Sequence, residues 1–121
     1  MSTVEGATQL DFSLHEARAE VFRAMAHPAR LRILECLADG EHCVCELQVV
    51  VGSSLPTVSR HLAQMKAAGL LGCRREGTNI YYRLLVPCIT NTFACIDEAI
   101  LADSERRAEV CAACRREEGE A

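Results

Sequence analysis

The chain has 121 residues, half of them apolar, which is the size of one ordinary domain with enough apolar side chains for a small core. No apolar run approaches the roughly 20 residues of a membrane-spanning helix. Residues 1–10 lack the basic start and apolar stretch of a secretory signal, so we expect a cytoplasmic protein with no membrane partner. Eight cysteines in such a chain indicate thiolate ligands or redox thiols more than a disulfide framework.

The net charge of −4 is unevenly distributed along the chain. Residues 53–83 carry five basic side chains and one acidic side chain, whereas residues 97–121 carry eight acidic and four basic ones. Because a local basic patch matters more for nucleic-acid binding than the total charge, the acidic sum does not exclude DNA as a partner.

Two helices are predicted in the first third of the chain. Residues 1–11 are small and polar and are predicted to be disordered. Ser13 is predicted to cap a helix that runs to residue 26, where His27-Pro28 interrupts it, because the residue before a proline avoids helical geometry. A second helix is predicted over residues 28–38, ended by Asp39-Gly40. The apolar positions expected to face inward are Leu14, Ala17, Val21, Phe22, Met25, Leu31, Ile33, Leu34 and Leu37.

Residues 41–47 read Glu-His-Cys-Val-Cys-Glu-Leu and lead into a short predicted helix that ends near Gly52. On a regular helix or strand, the side chains of positions i and i+2 point in different directions. Cys43 and Cys45 can therefore bind one soft ion only if the backbone bends or the helix frays between them. A ligand that forced such a bend close to a DNA-reading element would make a switch.

The next segment has the pattern of a DNA-recognition helix followed by a hairpin. Residues 53–56, Ser-Ser-Leu-Pro, predict a helix start, and Gly69 closes the helix. Its predicted apolar face is Leu55, Val58, Leu62 and Met65, and its polar face is Thr57, Ser59, Arg60, His61 and Gln64. Residues 70–75 and 78–85 are predicted strands on either side of the turn residues Glu76-Gly77.

A long helix is predicted from Pro87 onward. Its apolar stripe suits pairing with a second copy of the chain and consists of Ile89, Phe93, Ile96 and Ile100. We therefore divide the chain into a disordered segment at residues 1–11, a DNA-binding and dimerisation domain at 12–102 and a charged tail at 103–121. The order of elements predicts a mostly α protein with a β-hairpin wing, a winged helix-turn-helix that dimerises through its terminal helices.

Three stretches of the sequence strongly resemble the ArsR/SmtB family of metal-responsive repressors, and most of all its arsenic-responsive members. They are residues 27–34, His-Pro-Ala-Arg-Leu-Arg-Ile-Leu; residues 56–62, Pro-Thr-Val-Ser-Arg-His-Leu; and the wing residues 74–77 and 81–84, Arg-Arg-Glu-Gly and Tyr-Tyr-Arg-Leu. The resemblance covers roughly residues 12–100. It implies a homodimer that binds a roughly palindromic operator in double-stranded DNA and is released by an inducer.

The DNA-binding residues follow from this reading and from their chemistry. Short polar groups, an amide and a cation on the recognition helix can reach base edges or phosphates, and arginines on the wing can hold backbone phosphates. The predicted set is Ser54, Thr57, Ser59, Arg60, His61, Gln64, Arg74 and Arg75.

The Cys-Val-Cys pair resembles the arsenic, cadmium and lead sensors of the family, in which it begins the helix before the recognition helix. Soft thiolates suit arsenite or antimonite, with cadmium, lead or zinc as alternatives. Some members place a third cysteine where this chain has Gln48, so the resemblance implies that a third sulfur comes from elsewhere. The first candidates are Cys88 and Cys95, seven residues apart on the last helix, and the second are Cys111 and Cys114.

Other readings of the cysteines remain open. Ala99 and Ala102 stand where zinc-sensing relatives carry ligands, and the N-terminal cysteine pair of some cadmium and lead sensors is absent. Two thiols could instead be oxidised or persulfidated to signal. Cys36 and Cys73 are predicted to be buried apolar residues. Because the sequence has no phosphate loop, paired-carboxylate motif or nucleophile elbow, we predict that the protein is not an enzyme.

Overall fold

The structure, a computed structural model, describes the backbone of residues 2–120 and the side chains of residues 12–109 and 112. Its elements in chain order are α1 (Ser2–Met25), α2 (Pro28–Leu37), β1 (His42–Cys43), α3 (Val44–Val51), α4 (Leu55–Ala67), β2 (Leu71–Glu76), β3 (Asn79–Leu84), a 3₁₀ turn (Pro87–Thr90) and α5 (Asn91–Glu120). This order confirms the predicted fold, a mostly helical winged helix-turn-helix. Along the part of the chain that is described, no helix is both long and apolar enough to cross a membrane.

The chain divides into two units, Met1–Pro87 and Cys88–Ala121, which are described separately. In the first unit, aliphatic side chains of α2, α3, α4 and β2 form the core. Those with less than 2% of their surface exposed are Ile33, Leu34, Leu47, Val58, Leu62, Met65, Leu70 and Leu71. Burial of each such side chain contributes about 1.5–3 kcal/mol to folding. The predicted inward face of α4 is confirmed at three positions, Val58, Leu62 and Met65, whereas Leu55 at its start is exposed.

Helix α1 begins at Ser2, so the predicted cap at Ser13 is wrong, and residues 2–11 are helical where the sequence predicts disorder. The segment contains no proline, so no residue in it prevents the helix from continuing into the rest of α1. Among the side chains of α1 that the structure describes, Ala24 and Met25 at its end join the core, while Leu14 and Phe22 are exposed. Leu31 of α2, also predicted to face inward, is 38% exposed.

A short strand that the sequence pattern did not predict adds a third member to the wing. The sheet order is β1-β3-β2, all antiparallel, with His42 opposite Tyr82 and Cys43 opposite Tyr81. The predicted hairpin is confirmed, with Gly77 at φ 64° in the turn between β2 and β3. Gly52, at φ 73°, ends α3 in the left-handed conformation that glycine adopts without strain, and so separates α3 from α4.

The second unit consists of the end of the 3₁₀ turn and helix α5. The helix continues to Glu120, through the segment predicted as a charged tail. Three of its apolar side chains, Ile96, Ile100 and Leu101, are more than half exposed. The domain boundaries predicted at residues 12 and 102 stay predictions.

A polar cluster around Arg30, in which His61 is buried and Arg30 is half-buried, joins the first two helices to α4. The Arg30 Nε donates to Nδ1 of His61 at 3.0 Å, and its terminal nitrogens donate to the Ala24 carbonyl at 3.2 Å and to the Gln64 side-chain oxygen. His61 is 7% exposed, and its ring centroid lies 4.4 Å from that of His27. Burial, followed by the nearby His27 and Arg30, lowers the pKa of His61, which keeps the ring neutral and able to accept.

This cluster predicts that stability falls in mild acid. In the unfolded chain His61 takes up a proton near pH 6.5, whereas in the folded protein its pKa is lower, so the unfolded state binds more protons between the two values. The free energy of unfolding should therefore be highest above about pH 6.5 and fall as the pH drops through that window. Urea titrations at several pH values measure this, and His61→Gln, which keeps an acceptor but cannot titrate, should flatten the dependence. An equally steep fall in the variant would contradict the assignment to His61.

Candidate nucleic-acid interface and thiol site

The outer face of α4 carries short polar groups and one cation. Ser54, Ser59 and Arg60 are exposed, and Thr57 is half-buried. Ser54 occupies the N-cap position of α4, as predicted, but its hydroxyl lies 2.9 Å from the Thr57 hydroxyl and makes no capping bond to a backbone N–H. The first turn of α4 therefore presents hydroxyl groups and backbone N–H donors to the outside.

His61 and Gln64 differ from the rest of the predicted DNA-facing set. His61 is buried against Arg30 and His27, so it cannot reach a base edge, and its prediction as a DNA contact is corrected. Gln64 is exposed, but its side-chain oxygen accepts from Arg30. The sequence contained a signal for His61, because it lies three residues after Val58 and four before Met65, on the buried stripe of the helix.

The two wing arginines have different surroundings. Both Arg74 and Arg75 are exposed. Arg74 forms ion pairs with Glu41 (Nε to Oε2, 2.8 Å) and Glu76 (terminal nitrogen to Oε2, 2.7 Å). These bonds, the one to Glu76 first, raise the pKa of Arg74. The partners show that the positive charge of Arg74 is balanced within the protein.

The strand-to-helix junction falls between the two thiols of the Cys-Val-Cys segment. Cys43 ends β1 in an extended conformation (φ −80°, ψ 160°) and is the N-cap of α3, while Cys45 lies in the first turn of that helix. Cys43 is half-buried and Cys45 is exposed. The bend that the one-residue spacing demands is therefore part of the fold, and no fraying of α3 is needed to produce it.

Glu46 links Cys43 and His42 at the start of α3. The Cys43 thiol donates to Glu46 Oε1 at 3.2 Å, and His42 Nδ1 lies 2.7 Å from Glu46 Oε2. Glu46 is the third residue of α3, the position from which an acidic side chain completes a capping box. The hydrogen bond from His42, then the bond from Cys43, lowers the pKa of Glu46 and keeps it ionised.

The remaining predicted ligands lie elsewhere. Cys88 and Cys95 are both exposed in the second unit, and the side chains of Cys111 and Cys114 lie outside the described residues. Cys36 and Cys73 are half-buried rather than fully buried; burial raises the pKa of Cys36, and the nearby Cys73 side chain raises the pKa of Lys66. Among the side chains that the structure describes, no three histidine, cysteine or acidic groups are placed to hold a metal ion.

Three residues that contact predicted site residues were not predicted from the sequence: Arg30, Glu41 and Tyr81. Arg30 positions the recognition helix, Glu41 pairs with Arg74, and the Tyr81 ring lies 4.7 Å from the Arg74 guanidinium carbon. The pairing of β1 with β3 brings these residues of the wing together, and a strand of two residues leaves no periodic signal.

Several known proteins are similar to this chain in sequence. Residues 27–71 match a family described as "Bacterial regulatory protein, arsR family". The HTH-type transcriptional regulator KmtR of Mycobacterium tuberculosis is 49% identical over 65 residues, which are 54% of this chain and 50% of KmtR, so the match spans about half of that relative. The arsenical resistance operon repressor of Escherichia coli is 36% identical over 88 residues, 72% of this chain and 75% of the repressor.

One solved structure is similar to this chain in both fold and sequence. The homodimeric winged helix-turn-helix DNA-binding domain Mb0332 of Mycobacterium bovis, described as a possible ArsR-family transcriptional regulator, superposes with a TM-score of 0.65 at 36% identity, covering 78% of this chain and 86% of that domain. The relatives are transcriptional regulators, which confirms the prediction that the protein is not an enzyme. The chain belongs to the ArsR family of winged helix-turn-helix transcriptional regulators.

Proposed function

We propose that the protein is a homodimeric repressor that binds operator DNA and releases it when arsenite or antimonite binds cysteine thiolates. The observation that carries the proposal is the placement of Cys43 and Cys45 at the strand-to-helix junction that opens α3, the helix before the recognition helix. One thiol on each side of a bend can approach a common ligand, which a regular helix would not allow. The relatives named as arsenic resistance regulators support this choice of inducer.

DNA binding is assigned to the N-terminal part of α4 and to the wing. Backbone N–H groups in the first turn suit a phosphate, and the side chains beside them suit base edges. The proposed contacts are Ser54, Thr57, Ser59, Arg60, Gln64, Arg74 and Arg75. Gln64 and Arg74 can contribute only by exchanging a partner inside the protein for one on the DNA.

Dimerisation is assigned to the terminal helices. Phe12 and Phe22 of α1 are 66% and 63% exposed, and Ile100 of α5 is 58% exposed. Exposed apolar side chains of this size are common at protein–protein interfaces. The homodimeric state of the Mycobacterium bovis domain supports the same assembly for this chain.

Binding of the inducer to these thiols releases water and changes no oxidation state. Each thiol that binds arsenous acid forms a sulfur–arsenic bond, and its proton leaves with a hydroxyl group of the acid as water. Cys43 and Cys45 supply two sulfurs, and Cys88 or Cys95, from the same or the partner subunit, is the proposed source of the third. The free energy for release equals the difference in inducer affinity between the DNA-bound and released conformations.

The DNA-binding assignment predicts that Arg60→Ala weakens operator affinity at every salt concentration. An arginine that contacts a phosphate contributes about 0.9 to the slope of log K against log salt, so the slope should become shallower by about that amount per protomer. Fluorescence anisotropy with a duplex that the wild-type protein selects from a random pool measures both quantities. Arg18→Ala, which removes an exposed arginine of α1, serves as the matched control. Equal slopes for wild type and Arg60→Ala would contradict the assignment.

The inducer assignment predicts that Cys43→Ser and Cys45→Ser each abolish release of DNA by arsenite while leaving DNA affinity within about twofold, since serine is close to cysteine in size and its hydroxyl can still donate to Glu46 from position 43. Cys36→Ser, which changes a half-buried cysteine of α2 that is not among the proposed ligands, should respond like wild type. Cys88→Ser and Cys95→Ser identify the third sulfur.

The titration of the protein–DNA complex with arsenite is repeated with cadmium, lead and zinc, and with an oxidant in the absence of any metal. Release that persists in both Cys43→Ser and Cys45→Ser at the wild-type arsenite concentration would disprove the mechanism. Release by oxidant alone, with a new disulfide in the mass spectrum, would replace the metalloid by a redox signal.

A further inference from the structure

The wing residue Arg74 is held by two carboxylates from different parts of the first unit. Its Nε donates to Glu41 Oε2 at 2.8 Å, and a terminal nitrogen donates to Glu76 Oε2 at 2.7 Å. Glu76 lies two residues further along the same strand, β2, whereas Glu41 directly precedes β1. Glu41 is therefore the partner that ties Arg74 to a separate element.

The charges around Arg74 oppose a simple phosphate contact. One guanidinium between two carboxylates carries a combined charge of −1, which repels a phosphate at close range. Arg74 becomes an effective phosphate ligand only when a carboxylate withdraws. The side chains of Arg74 and Glu41 are 46% and 34% exposed, and exposed ion pairs are weak enough for another anion to displace.

Two contacts of Arg74 lead to the thiol segment. Glu41 lies two residues before Cys43 in the chain. Tyr81, whose ring centroid is 4.7 Å from the Arg74 guanidinium carbon, is the residue that pairs with Cys43 between β3 and β1. A displacement of the backbone at Cys43 therefore changes the contacts of Arg74 with both Glu41 and Tyr81.

We propose that Glu41 is a positioning residue that competes with DNA phosphate for Arg74. The affinity of the wing for DNA therefore depends on the position of the Cys43 segment. The proposal rests on the proposed function for the identity of the inducer, but not for the competition itself. Glu41 holds Arg74 away from the phosphate, and DNA binding includes the exchange of that carboxylate for a phosphate oxygen.

Glu41→Gln tests the competition. The variant keeps the size of the side chain and removes the charge, so Arg74 is released to the DNA. We expect the duplex selected by the wild-type protein to bind about two- to fivefold more tightly, the range for release of an exposed ion pair. Because Arg74 reaches the phosphate in both complexes, the slope of log K against log salt should change by less than the value of about 0.9 that one phosphate contact contributes. Unchanged or weaker binding would overturn the proposal.

The double variant Glu41→Gln/Arg74→Gln separates competition from a general loss of negative charge. If Glu41 acts through Arg74, Glu41→Gln has no effect in the Arg74→Gln background. An equal gain in both backgrounds would mean that any acid near the wing weakens DNA binding, and would overturn the specific role of Glu41. Circular dichroism melting curves of all variants check that each one folds.

The link to the thiols is tested with arsenite on the same variants. The ratio of DNA affinities without and with saturating arsenite should be smaller in Glu41→Gln than in wild type. The sulfur–arsenic absorbance of the DNA-free protein should titrate identically in both. An unchanged ratio would overturn the coupling. A wild-type protein that binds DNA but ignores arsenite would refute the proposed inducer, and the DNA affinities of Glu41→Gln in the two Arg74 backgrounds would still decide the role of Glu41.

Discussion

The pairing of β1 with β3 is the contact on which the arrangement of the thiols and the wing depends. It involves only His42 and Cys43 on one side and Tyr82 and Tyr81 on the other. Because β1 ends at Cys43 and α3 begins at Val44, the chain changes direction between the two cysteines. The same pairing sets Glu41 within reach of Arg74. A strand this short has few hydrogen bonds to lose, so a modest force at Cys43 can move it.

Glu46 adds a second constraint at the same junction, because one carboxylate serves several donors. It accepts from the Cys43 thiol at the N-cap of α3 and lies beside His42. Under the proposed function, replacement of the thiol proton by an inducer atom removes one of these donors. Ligand chemistry at the thiol and the hydrogen bonding of the helix start are therefore parts of one local network, in which α3 leads through Gly52 to the recognition helix.

The sequence predicted those features that repeat over many residues. The recognition helix, the hairpin and the long last helix have periodic apolar positions or turn glycines, and all three are present. β1 was missed because two residues cannot show alternation, and its partner is remote in sequence. His61 was placed on the wrong face because its polarity was given more weight than its spacing from Val58 and Met65. The source of the proposed third sulfur could not be predicted, since the seven-residue spacing of Cys88 and Cys95 says nothing about which side chains of another unit lie near them.

Helix α4 has an inward face that attaches it to the rest of the fold and an outer face that is exposed, so the two faces can change independently. The inward residues Val58, Leu62 and Met65, with His61 bound to Arg30, fix the helix to the rest of the fold. Ser54, Ser59 and Arg60 on the other face are exposed and contribute little to that attachment. If the proposed DNA contacts are correct, exchange of the outer side chains alone changes the base sequence that the helix reads without loss of stability. An engineer could graft a different outer face onto this helix and retain the fold beneath it.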